Sequence, residues 1–177
     1  ELALAIARRE SEFDPVVMSG VGARGLMQLM PRTAKEVARN LNLSYSRDRL
    51  ISDPVYNARL GTAYLAELMR TFDGNPVMVS AGYNAGPGRP SRWMDQRGDP
   101  RRGNANIIDW IEHIPFDETR NYVMRVTESL PVYRARITGR TEPIRLLAQL
   151  RGSMGEVRQA MKGEYRRPEP RPVPLTD

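Results

Sequence analysis

The sequence has no cysteine, which excludes disulfides, thiolate nucleophiles and cysteine metal sites while leaving the cellular compartment open. It has one histidine, His113. One histidine cannot build a metal site, and this one reads as structural. No eighteen apolar residues run together, so no segment reads as a membrane-spanning helix. The first residues do not read as a secretory leader, and the sequence does not open with methionine. The chain opens inside a helical pattern, so preceding sequence is expected. There is no internal repeat, and no stretch alternates convincingly as a strand.

What remains is an all-α pattern in 177 residues, enough for one domain with a real core and a tail. The net charge of +6 is compatible with a nucleic acid, an anionic membrane surface or an acidic polymer as partner, and equally with a soluble surface rich in arginine. No nucleic-acid-binding motif accompanies it.

The most informative stretch is the first thirty residues. Leu2 to Phe13 reads as a helix, ended by Pro15, which disfavours helical backbone at Asp14. Glu10 falls in its last turn, with Ala7, Ile6 and Ala3 on the same face. Arg8 and Arg9 point elsewhere. A carboxyl ending an apolar stripe is hard to ionise and suits a general acid near neutral pH; the plain alternative is a helix-end glutamate turned to water. Ser19 to Gly25 contains three glycines and reads as a loop. It enters the apolar turn Leu26-Met-Gln-Leu-Met30, where Gln28 is a lone amide that bonds either a ligand or the loop backbone.

Thr33 and Glu36 are spaced as a capping box for a helix reaching about Leu41. Asn42 to Ser52 reads as a polar connection. Asp53-Pro54 begins the long helix expected to be the spine, with Val55, Ala58, Thr62, Leu65, Leu68, Met69 and Phe72 inward, and Gly61 allowing a close approach. Pro76 starts a helix ending near Asn84, before Gly86-Pro-Gly88. Tyr83 is placed there either to bond Glu10 or a ligand, or as a core tyrosine. Arg89 to Asn104 reads as a basic surface loop, and Ile107 to His113 as a short helix bearing a second candidate acid, Glu112. Asp117 opens the last long helix, with Tyr122, Val123, Val126, Leu130 and Tyr133 inward and a kink or break expected at Pro131. Glu142 to Lys162 reads as one more helix, with Ile144, Leu147 and Leu150 inward and an interruption expected at Gly152-Ser-Met-Gly155, and 166–177 as an extended Pro-rich tail.

Glu10-Ser11, Gly25-Leu-Met-Gln28, Ala81-Gly-Tyr-Asn-Ala-Gly86 and Ile114-Pro-Phe-Asp-Glu-Thr-Arg-Asn-Tyr-Val123 resemble, in order and spacing, the motifs of the lytic transglycosylase catalytic domain, most closely the soluble, periplasmic type. The resemblance covers about residues 1–137. It implies a lysozyme-like helical domain over 1–140, followed by the C-terminal helix and tail over 141–177, with an upstream helical region outside this chain. It implies a cofactor-free enzyme of the bacterial periplasm acting on peptidoglycan strands, with neither nucleic acid nor a membrane span involved. Glu10 matches the acid that then serves as base. Ser19, Gln28, Met30, Tyr83, Asn84 and Glu112 match positions that line the glycan groove or orient the acid, and Ser11 matches the motif serine. The expected product is a 1,6-anhydromuramyl end. The rivals are a hydrolysing muramidase of similar fold, a non-catalytic wall-binding module, and nucleic-acid binding through the arginines.

Overall fold

The computed structural model describes residues 1–103 and 105–152. The described residues form helices joined by turns, with two isolated β-bridges and no strand. In chain order the helices are α1 (Leu2–Ser11), α2 (Pro31–Asn40), α3 (Arg49–Ser52), α4 (Pro54–Thr71), α5 (Pro76–Ala85), α6 (Gly88–Arg97), α7 (Ile107–Glu112), α8 (Asp117–Thr138) and α9 (Leu146–Arg151), with a 3-10 turn at Pro100–Arg102. The Pro-rich segment lies outside the described residues. Among the described residues no helix is long and apolar enough to cross a membrane.

Helix α5 is the interior of the fold: every residue from Pro76 to Gly82 is buried. A helix buried all round cannot afford polar side chains, and this segment is Pro-Val-Met-Val-Ser-Ala-Gly. Its one hydroxyl, Ser80, returns its proton to the Pro76 carbonyl at 2.6 Å. The long helix α4 joins two apolar clusters, placing Leu65 and Leu68 in the larger and Tyr56 and Leu60 in the smaller. Its inward face is Tyr56, Asn57, Leu60, Gly61, Leu65 and Leu68. The expected register was therefore wrong at its start: Val55 is 78% exposed and Thr62 is exposed. The reason is Asn57, a polar residue that takes a buried position because the backbone of another segment needs it. Gly61 does permit a close approach, since a Cβ there would lie 2.4 Å from Met27 Sδ.

Four further expectations are corrected. Helix α2 begins at Pro31 with Met30 at its N-cap and no capping side chain, because proline at the first helical position sets the starting φ without a capping box. The polar stretch after Asn42 contains the single turn α3, whose Leu50 is fully buried. The segment beginning at Arg89 is helical: α6 seats Pro90 and Trp93 in the core, with Trp93 edge-on to Trp110 at 6.1 Å. Helix α8 runs through Pro131. Proline cannot donate to the carbonyl four residues earlier, and Gln149 of α9 supplies that hydrogen bond instead, Nε2 to Thr127 O at 2.7 Å.

Helix α9 starts at Leu146, later than the pattern suggests, and ends at Arg151, before Gly152. Leu150 is buried, but Ile144 and Leu147 are exposed; the rest of the expected helix lies outside the described residues. Asn75, fully buried, fixes α9 by donating to Leu150 O at 2.8 Å while its Oδ1 caps α5. Glu1 binds Arg134 through both carboxylate oxygens, at 2.7 and 2.8 Å, and so secures α1 along α8.

Candidate active site

Glu10 stands in the last turn of α1, above buried Ala7 and Ile6. The helix stops one residue later, earlier than Pro15 alone would require. Glu12 and Phe13 both take left-handed backbone, at φ 53° and 69°, a conformation costing a side-chain-bearing residue about 1–2 kcal/mol. Ser11 holds this end: its buried hydroxyl donates to Leu26 O at 2.7 Å and lies 3.2 Å from Ala7 O. The acid-bearing turn is thereby tied to the glycine-rich loop.

Tyr122 of α8, buried, donates its hydroxyl to Glu10 Oε1 at 2.7 Å. Burial pushes the Glu10 carboxyl up to about 7, against the opposing pull of the Tyr122 hydrogen bond and of the Arg9 charge, and the Glu118 charge adds to the rise. With Oε1 held, Oε2 is the oxygen left to give and take a proton. A carboxyl raised this far can hold a proton, and give it up, near neutral pH.

Tyr83 is not the hydrogen-bond partner of Glu10. It donates to Met27 O at 2.8 Å and packs against Tyr64 at 5.4 Å, although the Glu10 charge reaches it and helps burial push its hydroxyl well above 10. Gln28, left-handed at φ 44°, gives its amide hydrogens to Val17 O and Gly25 O at 2.8 and 2.9 Å, so that amide serves the loop. Ser19 accepts from Ala23 N at 3.0 Å and also closes the loop. Met30 is 43% exposed beside it. Asn84 accepts the Thr119 hydroxyl at 2.6 Å and donates to Glu118 at 3.3 Å. Glu112 is exposed at the end of α7, and the neighbouring carboxylate felt at Glu10 is that of Glu118.

The loop itself is gripped from α4. Asn57 Oδ1 accepts from Met27 N at 2.9 Å, and its Nδ2 donates to Arg24 O and Leu50 O, each at 2.8 Å. Gly25, at φ 71°, lies where a Cβ would come within 1.9 Å of Leu50 O, so only glycine fits. Sequence reasoning missed Tyr122, Asn57 and Glu118 as parts of the site. Tyr122 was legible as one of several inward residues and as part of the last motif, but with no role assigned; its carboxylate partner is 112 positions away. Among the described residues no cluster of acids and histidine could hold a metal.

The Tyr122 hydrogen bond stabilises the ionised form of Glu10. Tyr122→Phe is therefore expected to move the Glu10 titration alkaline of 7. Carboxyl-carbon NMR of the labelled glutamates checks this, and an unmoved or lowered midpoint would contradict the assigned hydrogen bond.

The family described as "Transglycosylase SLT domain" matches residues 1–106. Over 133 residues the chain is 41% identical to the soluble lytic murein transglycosylase of Escherichia coli K12, an alignment spanning 75% of this chain and 20% of that protein. Its fold is similar to that of the 70 kDa soluble lytic transglycosylase of Escherichia coli, with TM-score 0.70 and 40% identity over 76% of this chain and 21% of that one. It is likewise similar to an inactive glutamate-to-glutamine mutant of the lytic transglycosylase of Pseudomonas aeruginosa, with TM-score 0.69 and 43% identity over 80% of this chain and 22% of that one. The chain thus spans about a fifth of the length of these relatives.

Proposed function

The chain belongs to the transglycosylase SLT domain family, and on that premise we propose that it cleaves peptidoglycan in the bacterial periplasm as a lytic transglycosylase. The bond broken is the β-1,4 link between N-acetylmuramic acid and N-acetylglucosamine, and no water enters. Glu10 Oε2–H gives its proton to the glycosidic oxygen as the bond from C1 breaks. The muramyl acetamido carbonyl stabilises the positive charge left on the ring. The Glu10 carboxylate then removes the proton of the C6 hydroxyl, whose oxygen bonds C1. The acid is regenerated and the product ends in a 1,6-anhydro ring.

The observation that carries this reading is the Glu10 carboxyl at the end of α1, with Oε1 bonded to the Tyr122 hydroxyl and burial holding it well above the ordinary carboxylate range. Hydrolysis by the usual route needs a second carboxylate, placed to activate water or to form a covalent bond to the sugar. Glu118 is the acid whose charge reaches Glu10, and it is the one feature that favours hydrolysis. Against that role, it is already bonded to Asn84. The relative that is inactive with glutamine in place of a glutamate supports giving the chemistry to a glutamate here.

Digestion of isolated sacculi followed by mass spectrometry separates the two. Muropeptides lighter by one water than reducing ends are the expected product. Reducing ends in their place would make the protein a muramidase and overturn the proposal.

A further inference from the structure

The C-terminal half of α8, the connection after it and α9 carry a surface that the glycan chemistry does not use. Val132, Ile137, Ile144, Leu146 and Leu147 are exposed there, Ile144 by 71%. Exposed apolar side chains are ordinary when scattered singly, whereas a group of them along one stretch of chain marks contact with a partner. Arg136, Arg140, Arg145 and Arg151 are exposed among them, and none forms an ion pair with another described residue. Glu142 is the only acid in the sequence between 132 and 151. Its charge is felt at Arg134, which already holds Glu1. The surface is therefore apolar and cationic at once.

That combination selects the occupant. A second copy would bring the same arginines against these and be repelled. An acidic polysaccharide or a nucleic acid would pair with the arginines and leave the leucines in water. The surface of a bilayer containing anionic phospholipid offers both partners: phosphates for the guanidinium groups, and acyl carbon just beneath for Ile144, Leu146 and Leu147. We propose that this end of the domain docks on a membrane surface rich in anionic phospholipid, with no segment crossing it. The position leaves the acid free to work. Tyr122, which holds Glu10, lies near the start of α8 and Ile137 near its end, and the helix between them is roughly 22 Å long at 1.5 Å per residue. The acid and the patch stand at opposite ends of α8, so docking one leaves the other accessible.

Co-sedimentation of the 177-residue protein with lipid vesicles tests this. It is expected to bind vesicles of mixed phosphatidylglycerol and phosphatidylcholine at least about tenfold more tightly than vesicles of phosphatidylcholine alone. An arginine near an anionic surface is worth about fivefold in partition, so Arg140→Gln combined with Arg145→Gln should weaken binding about 25-fold. Ile144→Ser combined with Leu147→Ser should weaken it about tenfold. All four positions are exposed, so both double variants should melt with the unsubstituted protein and cleave soluble glycan chains at its rate. Equal binding to the two kinds of vesicle, or binding to neither, overturns the proposal. Undiminished binding of the serine variant also overturns it, by reducing the contact to attraction for any polyanion. A dimer in vesicle-free solution that the serine variant dissociates would give the patch to a second copy instead. Vesicle binding is read with no glycan present, so it stands or falls apart from the chemistry at Glu10.

Discussion

Glu10→Gln is expected to abolish glycan cleavage, by 10³-fold or more, and at the same time to make the protein more stable at neutral and alkaline pH. The loss follows from removing one group that acts twice, since a positioned acid or base contributes about 10²–10⁴ at each step. The gain follows from linkage. The Glu10 carboxyl titrates near 4.5 in an unfolded chain and about 7 in the fold. A raised carboxyl makes the native state the better proton binder between those two values, so stability falls as pH rises through that window. Below about pH 4.5 both states are protonated and no penalty exists. By pH 8 the penalty has reached about 3 kcal/mol, taking about 1.4 kcal/mol per decade. Glutamine is neutral throughout and keeps an Oε1 for the Tyr122 hydroxyl to bond. The variant should therefore melt roughly 8 °C higher at pH 8 and within a degree or two of the unsubstituted protein at pH 4. A melting difference that grows as pH falls would mean that Glu10 is not held against ionisation, and the proposed chemistry would lose its basis.

Helical spacing puts Ala7, Ile6 and Ala3 on the face of Glu10, which left a glutamate turned to water as the alternative, and it was the resemblance of the motifs that singled the residue out. Its partner was not singled out. A tyrosine in an inward stripe is ordinary, and apart from lying within the last motif of the resemblance nothing marks Tyr122, which meets Glu10, from Tyr133, which meets Phe13. Of the two long helices, α4 was readable from Pro54 at its first helical position and α8 from the period of its inward stripe. Helix α6 was not, because its apolar content is thin: among glycine, prolines and arginines only Pro90 and Trp93 are buried. Tertiary packing on Trp110 and the Arg97 bond to His113 O supply what local propensity lacks. Of the kink or break expected at Pro131, the break does not occur, for a similar reason: the group that makes a proline tolerable, Gln149, sits on another helix. Gln28 shows the complementary limit. Its isolation among apolar residues signalled that the amide had partners, but the sequence could not say that they were two carbonyls of its own loop.

The largest loss of stability is expected at Asn57, which lies outside every motif of the resemblance. Its side chain is fully buried and makes three hydrogen bonds, all to backbone: Met27 N, Arg24 O and Leu50 O. Alanine there takes the partner from Met27 N and from Leu50 O, while Arg24 O keeps the Leu29 N–H at 3.1 Å. At about 1–3 kcal/mol for each orphaned group, partly relieved by relaxation of the loop, Asn57→Ala should cost about 4 kcal/mol and lower the melting temperature by roughly 10 °C. The same change should reach the acid. Met27 carries the carbonyl that receives Tyr83, and Leu26 the carbonyl that receives Ser11 in the turn after Glu10. Once the loop is released, the turn loses the bond that sets its end. Activity at a temperature where the variant is fully folded should then fall by about tenfold or more, with the Glu10 titration drawn back toward 4.5 as water enters. Urea denaturation, together with the pH profile of muropeptide release, checks both parts. A destabilised variant with an unchanged Glu10 titration would mean that the loop does not shelter the acid, and that α1 and α8 alone hold it out of water.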